Sequence, residues 1–106
     1  MGTRELEPSV NAMICALCAD YFRRDRIIKE RSATRRVDTE FRYYNFRIYD
    51  GAAEIVGDEL AEVYIKEIAE RRGYANSLVE DVSEPTYKRY KKEVKEAIAK
   101  KLYLIE

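Results

Sequence analysis

The stretch DVSEPTYKRYKKEVKEAIAKKL, residues 81–102, combines a helix-start signal with a run of lysines. Ser83 is a favourable N-cap, and Pro85 falls in the first turn, where its missing N–H costs no hydrogen bond. The spacing predicts a buried face formed by Tyr87, Tyr90, Val94, Ala97, Ile98 and Leu102. The stretch therefore predicts an amphipathic helix over residues 84–102.

The rest of the chain shows the same helical periodicity, and the alternation typical of strands never lasts beyond a few residues. Apolar stripes predict helices over residues 9–31, 34–56 and 58–72, and a short turn of helix over 77–82. Asp58 is the expected cap of the third helix, and Gly73 is the glycine expected to end it. The predicted core residues of the first three helices are Val10, Met13, Ile14, Leu17, Cys18, Tyr21, Val37, Phe41, Tyr44, Ile48, Ile55, Leu60, Ala61, Val63, Tyr64 and Ile68.

The predicted fold is all-α, with four to five helices in a single domain over residues 1–106. Residues 1–57 form an N-terminal helical arm, and residues 58–106 form the C-terminal part.

The charges of the chain are segregated, although the net charge is zero. Residues 21–49 carry nine basic and four acidic side chains, and residues 85–106 carry seven basic and three acidic ones. Residues 50–84, between them, hold three basic and ten acidic side chains. This pattern favours either a polyanionic partner or charge pairing within the fold or between subunits.

The residue types that most enzymes and metal sites use are missing or scattered. The chain contains no histidine, which removes the commonest general base and the commonest metal ligand. Its four glycines are isolated, so no glycine-rich phosphate loop is present. The longest nearly uncharged run, residues 8–19, is too short to span a bilayer. We therefore expect a cytoplasmic, non-enzymatic protein with no cofactor and no membrane partner.

Cys15 and Cys18 form a CxxC pair, a spacing that occurs in redox and zinc sites. The pair falls inside the apolar stripe of the first predicted helix, so we expect two buried, reduced core cysteines without a metal. A zinc ion held by four thiolates across a dimer is the alternative.

Aromatic and basic residues interleave over residues 41–49, which contain Phe41, Arg42, Tyr43, Tyr44, Phe46, Arg47 and Tyr49. Such a run is typical of surfaces that stack single-stranded bases. It is also typical of a helix with more than one apolar face, packed against both the core and a partner. We favour the second interpretation, which predicts a homodimer formed through the aromatic faces of the first two helices.

Residues 83–89 have the composition of the start of a recognition helix in a helix-turn-helix. A helix N-terminus and short hydroxyl side chains bind phosphate, while lysine and arginine release counterions from nucleic acid. Lys88, Arg89, Lys91 and Lys92 spread around the helix, so not all of them can face one groove. The predicted DNA-binding residues are Ser83, Thr86, Lys88, Arg89, Lys91, Lys92 and Lys95.

Residues 58–106 resemble the C-terminal part of small phage-encoded transcription regulators of the ArpU/RinA type, which are similar to region four of sigma factors. Ser83, Thr86, Tyr87 and Arg89 match a Ser-x-x-Thr-(Tyr/Val)-x-Arg opening, and IAKKL, residues 98–102, matches the helix end. Asp81 stands where the group has its turn glycine, and aspartate can adopt the same left-handed conformation. The resemblance implies a helix-turn-helix-like region over residues 58–106, duplex DNA as the ligand and RNA polymerase as a candidate partner.

Two functions of different classes follow from these features. In the first, the chain is a dimeric, phage-derived transcription regulator that reads duplex DNA with its basic C-terminal helix. In the second, it is a helical protein–protein interaction or assembly protein without nucleic-acid binding, whose charges pair between subunits.

Overall fold

The computed structural model describes residues 6–30 and 39–105. Four α-helices follow one another: α1 (Pro8–Glu30), α2 (Thr39–Val56), α3 (Asp58–Ala69) and α4 (Glu84–Lys101), with a short 3-10 turn at Tyr74–Asn76. Within these residues there is no strand, so the all-α prediction is confirmed. The predicted helical residues 31 and 34–38 lie outside the described part of the chain. No described helix is long and apolar enough to cross a membrane.

Helix α2 contacts each of the other three helices and packs most extensively against α4. Fully buried side chains from all four helices form the core, chiefly Ile14, Ile48, Tyr64, Ile65, Ile68, Tyr87, Val94 and Ile98. Most of them belong to the predicted stripes. Met13 and Leu60 were also predicted to be buried, but each stays more than a third exposed. The buried faces of α1 and α3 are turned instead toward Cys15 and Ile65.

A single residue, Gly57, separates α2 from α3. Its φ of 87° lies in the left-handed region, which glycine adopts without a side-chain clash. Gly57 is the N-cap of α3, so Asp58, the predicted cap, lies in the first turn and makes no capping hydrogen bond. A carboxylate in the first turn still interacts favourably with the helix dipole.

Gly51 marks a close approach of α2 to α4. A Cβ atom at this position would lie 2.9 Å from the backbone nitrogen of Ile98 and 3.0 Å from its Cα. Cβ atoms do not normally come that near to a neighbouring backbone, so the missing side chain allows α2 to rest directly on the backbone of α4.

Helix α3 ends at Ala69, three residues before the predicted end at residue 72. The two backbone hydrogen bonds of a Schellman motif close it, 3.2 and 3.0 Å long and donated by Arg71 and Arg72. The left-handed residue of this motif is Arg71, with a φ of 53°. The prediction that Gly73 ends the helix is therefore wrong, and the φ of Gly73 is −93°.

Residues 70–83 connect α3 to α4, and the short helix predicted over residues 77–82 does not form. Its backbone groups bond to side chains instead. The N–H of Leu78 donates to the Glu67 carboxylate at 3.0 Å, and the N–H of Val79 donates to the Ser77 hydroxyl at 2.9 Å. The carbonyl of Val82 accepts from the Tyr74 hydroxyl at 2.8 Å. These bonds replace those that a helical turn would have made.

The predicted helix-turn-helix-like region is not confirmed. Its two helices would be α3 and α4, yet the connection between them is fourteen residues long. Helix-turn-helix motifs join their helices by about 3–4 residues. Asp81 does adopt the left-handed conformation expected of it, with a φ of 61°.

We predict that Gly51→Ala destabilises the protein, because its Cβ would meet the α4 backbone at 2.9 Å. Overpacking of this kind costs about 1–3 kcal/mol, and the better helix propensity of alanine returns up to about 1 kcal/mol of it. Urea denaturation followed by circular dichroism measures the free energy of unfolding.

Gly73→Ala is the matched control. No atom lies within 4 Å of the Cβ that it would add, and Gly73 does not have a left-handed φ. We expect its free energy of unfolding to stay within about 0.5 kcal/mol of the parent value. Equal stability of the two variants would contradict the close approach of α2 and α4.

Candidate nucleic-acid interface

Four of the predicted DNA-binding residues line one open groove: Lys88, Lys91, Lys92 and Lys95. Their spacing of three and four residues places them along one side of α4. The opposite wall comes from the start of α1, with Leu6, Pro8 and Asn11, and Tyr74 also lines the groove. Its volume is about 520 Å³, and among the described residues none that lines it is acidic. We call it the lysine groove.

The first turn of α4 is built as the sequence predicts. Ser83 is the N-cap, and its hydroxyl oxygen accepts the N–H of Thr86 at 3.4 Å. The Ser83 hydroxyl also donates to the Thr86 hydroxyl oxygen at 2.9 Å. Each of the two hydroxyls can donate or accept, so the pair can turn one proton toward an outside acceptor such as a phosphate oxygen.

Lys88 and Arg89 are exposed at the N-terminal end of α4. The Lys88 ammonium lies 3.0 Å from the Glu84 carboxylate, and both side chains are more than half exposed. Such a surface pair contributes only about 0–1 kcal/mol, so a phosphate can compete for the ammonium. Arg89 lies over the ring of Tyr90 at 5.2 Å and does not line the lysine groove. Arg89 therefore stands apart from the lysine groove, and the expectation that these residues do not all face one groove of the DNA stays a prediction.

Lys91 is held in place by the connection between α3 and α4. Its ammonium donates to the backbone carbonyl of Arg72 at 2.6 Å and lies 5.5 Å from the centre of the Tyr87 ring. Burial, followed by the positive charge of Lys95, lowers the pKa of Lys91 below its ordinary value. Lys91 is thus a fixed charge in the wall of the lysine groove, and its contact with DNA stays a prediction.

A buried carboxylate that the sequence analysis missed sets the position of this wall. Glu67 of α3 is 0% exposed and accepts the Tyr87 hydroxyl at 2.7 Å and the Leu78 N–H at 3.0 Å. Burial alone would raise the pKa of Glu67, but the hydrogen bonds from Leu78 and Tyr87 outweigh it and hold the pKa below its ordinary value. Glu67 therefore joins α3, α4 and the connection between them. The sequence did contain a signal for this buried carboxylate. Glu67 is a charged residue one position before Ile68, within a predicted buried stripe.

In the first basic segment, residues 21–49, Arg24 does not line an open groove but is buried between α1 and α2. Its guanidinium donates to the Asn45 side-chain oxygen at 2.7 Å and to the Leu17 carbonyl at 2.6 Å, and it pairs with Asp20 at 3.0 Å. The Asn45 amide donates in turn to the Tyr21 carbonyl at 2.9 Å. Arg24 therefore stabilises helix packing and does not reach a ligand.

The interleaved segment over residues 41–49 divides between the interior and the surface. Arg47 lies between the rings of Tyr43 and Tyr103, at 4.4 and 5.4 Å, and donates to the Lys101 carbonyl at the end of α4 at 2.9 Å. Tyr43 and Phe46 point outward, and Phe46 is 73% exposed. Arg47 of this segment thus satisfies a backbone carbonyl at the end of α4, while Tyr43 and Phe46 leave an aromatic surface exposed.

Cys15 and Cys18 are free and buried, as predicted. Burial, followed by the neighbouring Cys15, raises the pKa of the Cys18 thiol to about 12. A thiol with this pKa stays protonated at neutral pH and is a poor nucleophile. The zinc alternative stays a prediction.

The chain matches no protein-family model, no curated protein and no solved structure.

We predict that Tyr87→Phe destabilises the protein by about 1.5–3 kcal/mol, the usual contribution of a hydrogen bond to a charged group. The substitution keeps the buried ring but removes the hydroxyl that donates to Glu67 at 2.7 Å. Chemical denaturation at neutral pH gives the free energy of unfolding.

Tyr64→Phe is the matched control. Tyr64 is also fully buried, but no described residue forms a hydrogen bond with its hydroxyl. Removing an unpaired buried hydroxyl should leave the stability unchanged or raise it. If Tyr64→Phe destabilised the protein as much as Tyr87→Phe, the effect would come from the rings and not from the bond to Glu67.

Proposed function

We propose that the protein binds duplex DNA through the N-terminal half of α4. The observation that carries this proposal is the row of four lysines along one side of α4, in a groove with no acidic residue among its described lining residues. Lysine ammonium groups placed along one helix side release counterions when they contact phosphates, and this release supplies most of the sequence-independent affinity for DNA.

The exposure of α4 supports an orientation in which its N-terminal end faces the DNA. The middle of the helix is packed into the core, where Val94 and Ile98 are fully buried, whereas Lys88 and Arg89 stand exposed in its second turn. Recognition helices contact base edges with their N-terminal residues. We assign Lys88, Lys92 and Lys95 to phosphates and Arg89, which points away from the groove, to a base edge.

Ser83 and Thr86 suit a role at the phosphate backbone. They form the capped first turn, where free backbone N–H groups and the helix dipole favour an anion. Lys91 adds a fixed positive charge from the groove wall. The seven predicted residues therefore take three roles: contact with phosphates, contact with a base edge and, for Lys91, a fixed positive charge that attracts the DNA.

A role in transcription regulation, and RNA polymerase as a partner, rest on the resemblance of residues 58–106 to the ArpU/RinA-type regulators. A dimer would let two copies of α4 bind symmetric half-sites, as dimeric helix-turn-helix proteins do.

We predict that the triple variant Lys88→Glu, Arg89→Glu, Lys92→Glu remains folded and loses DNA binding. None of the three side chains is buried in the core. The affinity for a duplex oligonucleotide should fall at least about tenfold, and the slope of log affinity against log salt should decrease by about one unit for each lost phosphate contact. Fluorescence anisotropy over a salt series measures both.

The matched control reverses three exposed charges elsewhere: Arg26→Glu, Lys66→Glu and Lys100→Glu. The net charge changes equally, so a general electrostatic effect would weaken both variants alike. Binding by the first triple variant at the parent affinity, with circular dichroism unchanged, would refute the proposal.

The second candidate function, protein assembly without DNA, is favoured by the exposed aromatic surface. Phe46 and Tyr103 are 73% and 76% exposed, and Tyr43 connects them to a shallow apolar groove of about 400 Å³ that Met13 and Leu17 also line. Exposed aromatic residues of this kind are enriched at protein interfaces. We propose that this surface forms the homodimer.

We predict that Phe46→Ser combined with Tyr103→Ser shifts the protein toward the monomer without unfolding it, because both side chains are mainly exposed. Leu78→Ser, at a residue 49% exposed in the connection between α3 and α4, is the control and should leave the association unchanged. Sedimentation velocity over a concentration series is the measurement. A parent protein that is monomeric at tens of micromolar, about the range of weak complexes, would contradict the dimer.

A further inference from the structure

The lysine groove has the size and the mixed lining of a small-ligand site. Its volume is about 520 Å³, and sites for small molecules typically measure about 300–1,000 Å³. One wall is the row of four lysines on α4, and the facing residues Leu6 and Pro8 are apolar. The groove therefore offers both charged and apolar surface to a ligand.

The positive charge is concentrated in the inner part of the groove. Lys91 is fixed there by its 2.6 Å hydrogen bond to the Arg72 carbonyl, and Lys95 lies one turn further along the same side of α4. The two charges oppose each other, since Lys95 is among the causes that lower the pKa of Lys91. Glu67 attracts Lys91 from behind, but its carboxylate is fully buried and bonded to Tyr87 and Leu78, so it does not reach into the groove. An anion between the two ammonium groups would relieve their repulsion.

An aromatic ring lies beside these charges. Tyr74 is 38% exposed, and two contacts hold its ring in place. Its hydroxyl donates to the Val82 carbonyl at 2.8 Å, and its ring packs against that of Tyr87, with the centres 5.6 Å apart. A tyrosine fixed in this way is a preorganised surface for a flat ring, and the stacking of a nucleic-acid base on an aromatic side chain is worth about tenfold or more in affinity.

We propose that the lysine groove binds a single nucleotide unit, with its phosphates at Lys91 and Lys95 and its base against Tyr74 and Leu6. The ligand class is a phosphate chain joined to a heteroaromatic base, either as a free nucleotide or as the unpaired end of a nucleic-acid strand. The inference rests on the proposed function in sharing the basic side of α4. It differs in adding the ring of Tyr74 and the apolar side chain of Leu6 to Lys91 and Lys95, whereas duplex binding depends on Lys88 and Arg89 at the exposed turn.

Isothermal titration calorimetry on the full chain tests this with four probes: adenosine triphosphate, inorganic tripolyphosphate, adenosine and a short oligothymidine. We expect one site per chain and an affinity for adenosine triphosphate about tenfold or more above that for tripolyphosphate, because only the nucleotide offers a ring to Tyr74. If only the oligothymidine binds, and the Lys95 and Tyr74 variants described below weaken it, the natural source is a strand end. Equal binding of tripolyphosphate and adenosine triphosphate, or no binding of either nucleotide probe, would overturn the proposal.

Two pairs of variants locate the ligand. Lys95→Gln should weaken the nucleotide about tenfold, and Lys66→Gln, which removes the same charge from an exposed position on α3, should not. Tyr74→Leu should remove the preference for adenosine triphosphate over tripolyphosphate. Tyr74→Phe, which keeps the ring and loses only the bond to Val82, should preserve that preference.

Failure of this inference and failure of the proposed function give different results. If duplex DNA binds and responds to Lys88 and Arg89 while no nucleotide probe binds, only the nucleotide site is wrong. If a nucleotide binds with the expected response to Lys95 and Tyr74 while duplex DNA does not, only the duplex proposal is wrong.

Discussion

The contact between α2 and α4 at Gly51 is the constraint on which the rest of the structure depends. A side chain at this position would meet the backbone of Ile98, so the two helices approach as closely as they do because this residue is glycine. Helix α2 also touches α1 and α3, and its contact with α4 is the most extensive in the molecule. Helix α4 buries Val94 and Ile98 in the core and Tyr87 against Tyr64 of α3, and the lysine row lies in a groove that the start of α1 also lines.

A second constraint is the buried carboxylate of Glu67, which organises the long connection before α4. Within one cluster it accepts a hydrogen bond from α4 and another from the backbone of the connection. A buried charge without such partners would be strongly destabilising, so the Tyr87 hydroxyl and the Leu78 N–H have to remain in place. These hydrogen bonds hold the connection without a longer helix. The carbonyl of Arg72 in this connection positions Lys91, and Tyr74 places its own ring in the groove.

The two basic segments, alike in composition, have different physical roles. In the first, Arg24 is buried in a hydrogen-bond cluster and Arg47 stacks between tyrosines while satisfying the end of α4. In the second, four lysines of α4 line an open groove. The last two lysines of the helix are ion-paired: Lys100 with Glu96 at 3.3 Å, and Lys101 with Asp50 and Glu54 of α2 at 3.1 and 3.4 Å. The charge pattern presented charge pairing within the fold and a basic surface for a partner as alternatives. The structure contains both charge pairing and a basic groove.

The sequence by itself determined the all-α class, most of the helix bounds, the Ser83 cap and most of the core side chains, because helical periodicity and capping depend on residues within a few positions of one another. It also identified the lysines of α4 as a set. Helical spacing already separates Arg89 from the row of Lys88, Lys91, Lys92 and Lys95. Only the tertiary structure decided that Lys91 is fastened to Arg72 and that Tyr74 and the residues at the start of α1 line the same groove as the lysines. The irregular backbone of residues 77–82 likewise depends on contacts outside the segment, since a buried carboxylate and a tyrosine hydroxyl take up backbone groups that local propensity would have assigned to a helix. Helix α3 ends early, at Ala69, with Arg71 in the left-handed conformation of a Schellman motif. Periodicity shows which side of a helix is apolar, but the groups that meet across the molecule depend on how the helices pack, which no short window of sequence contains.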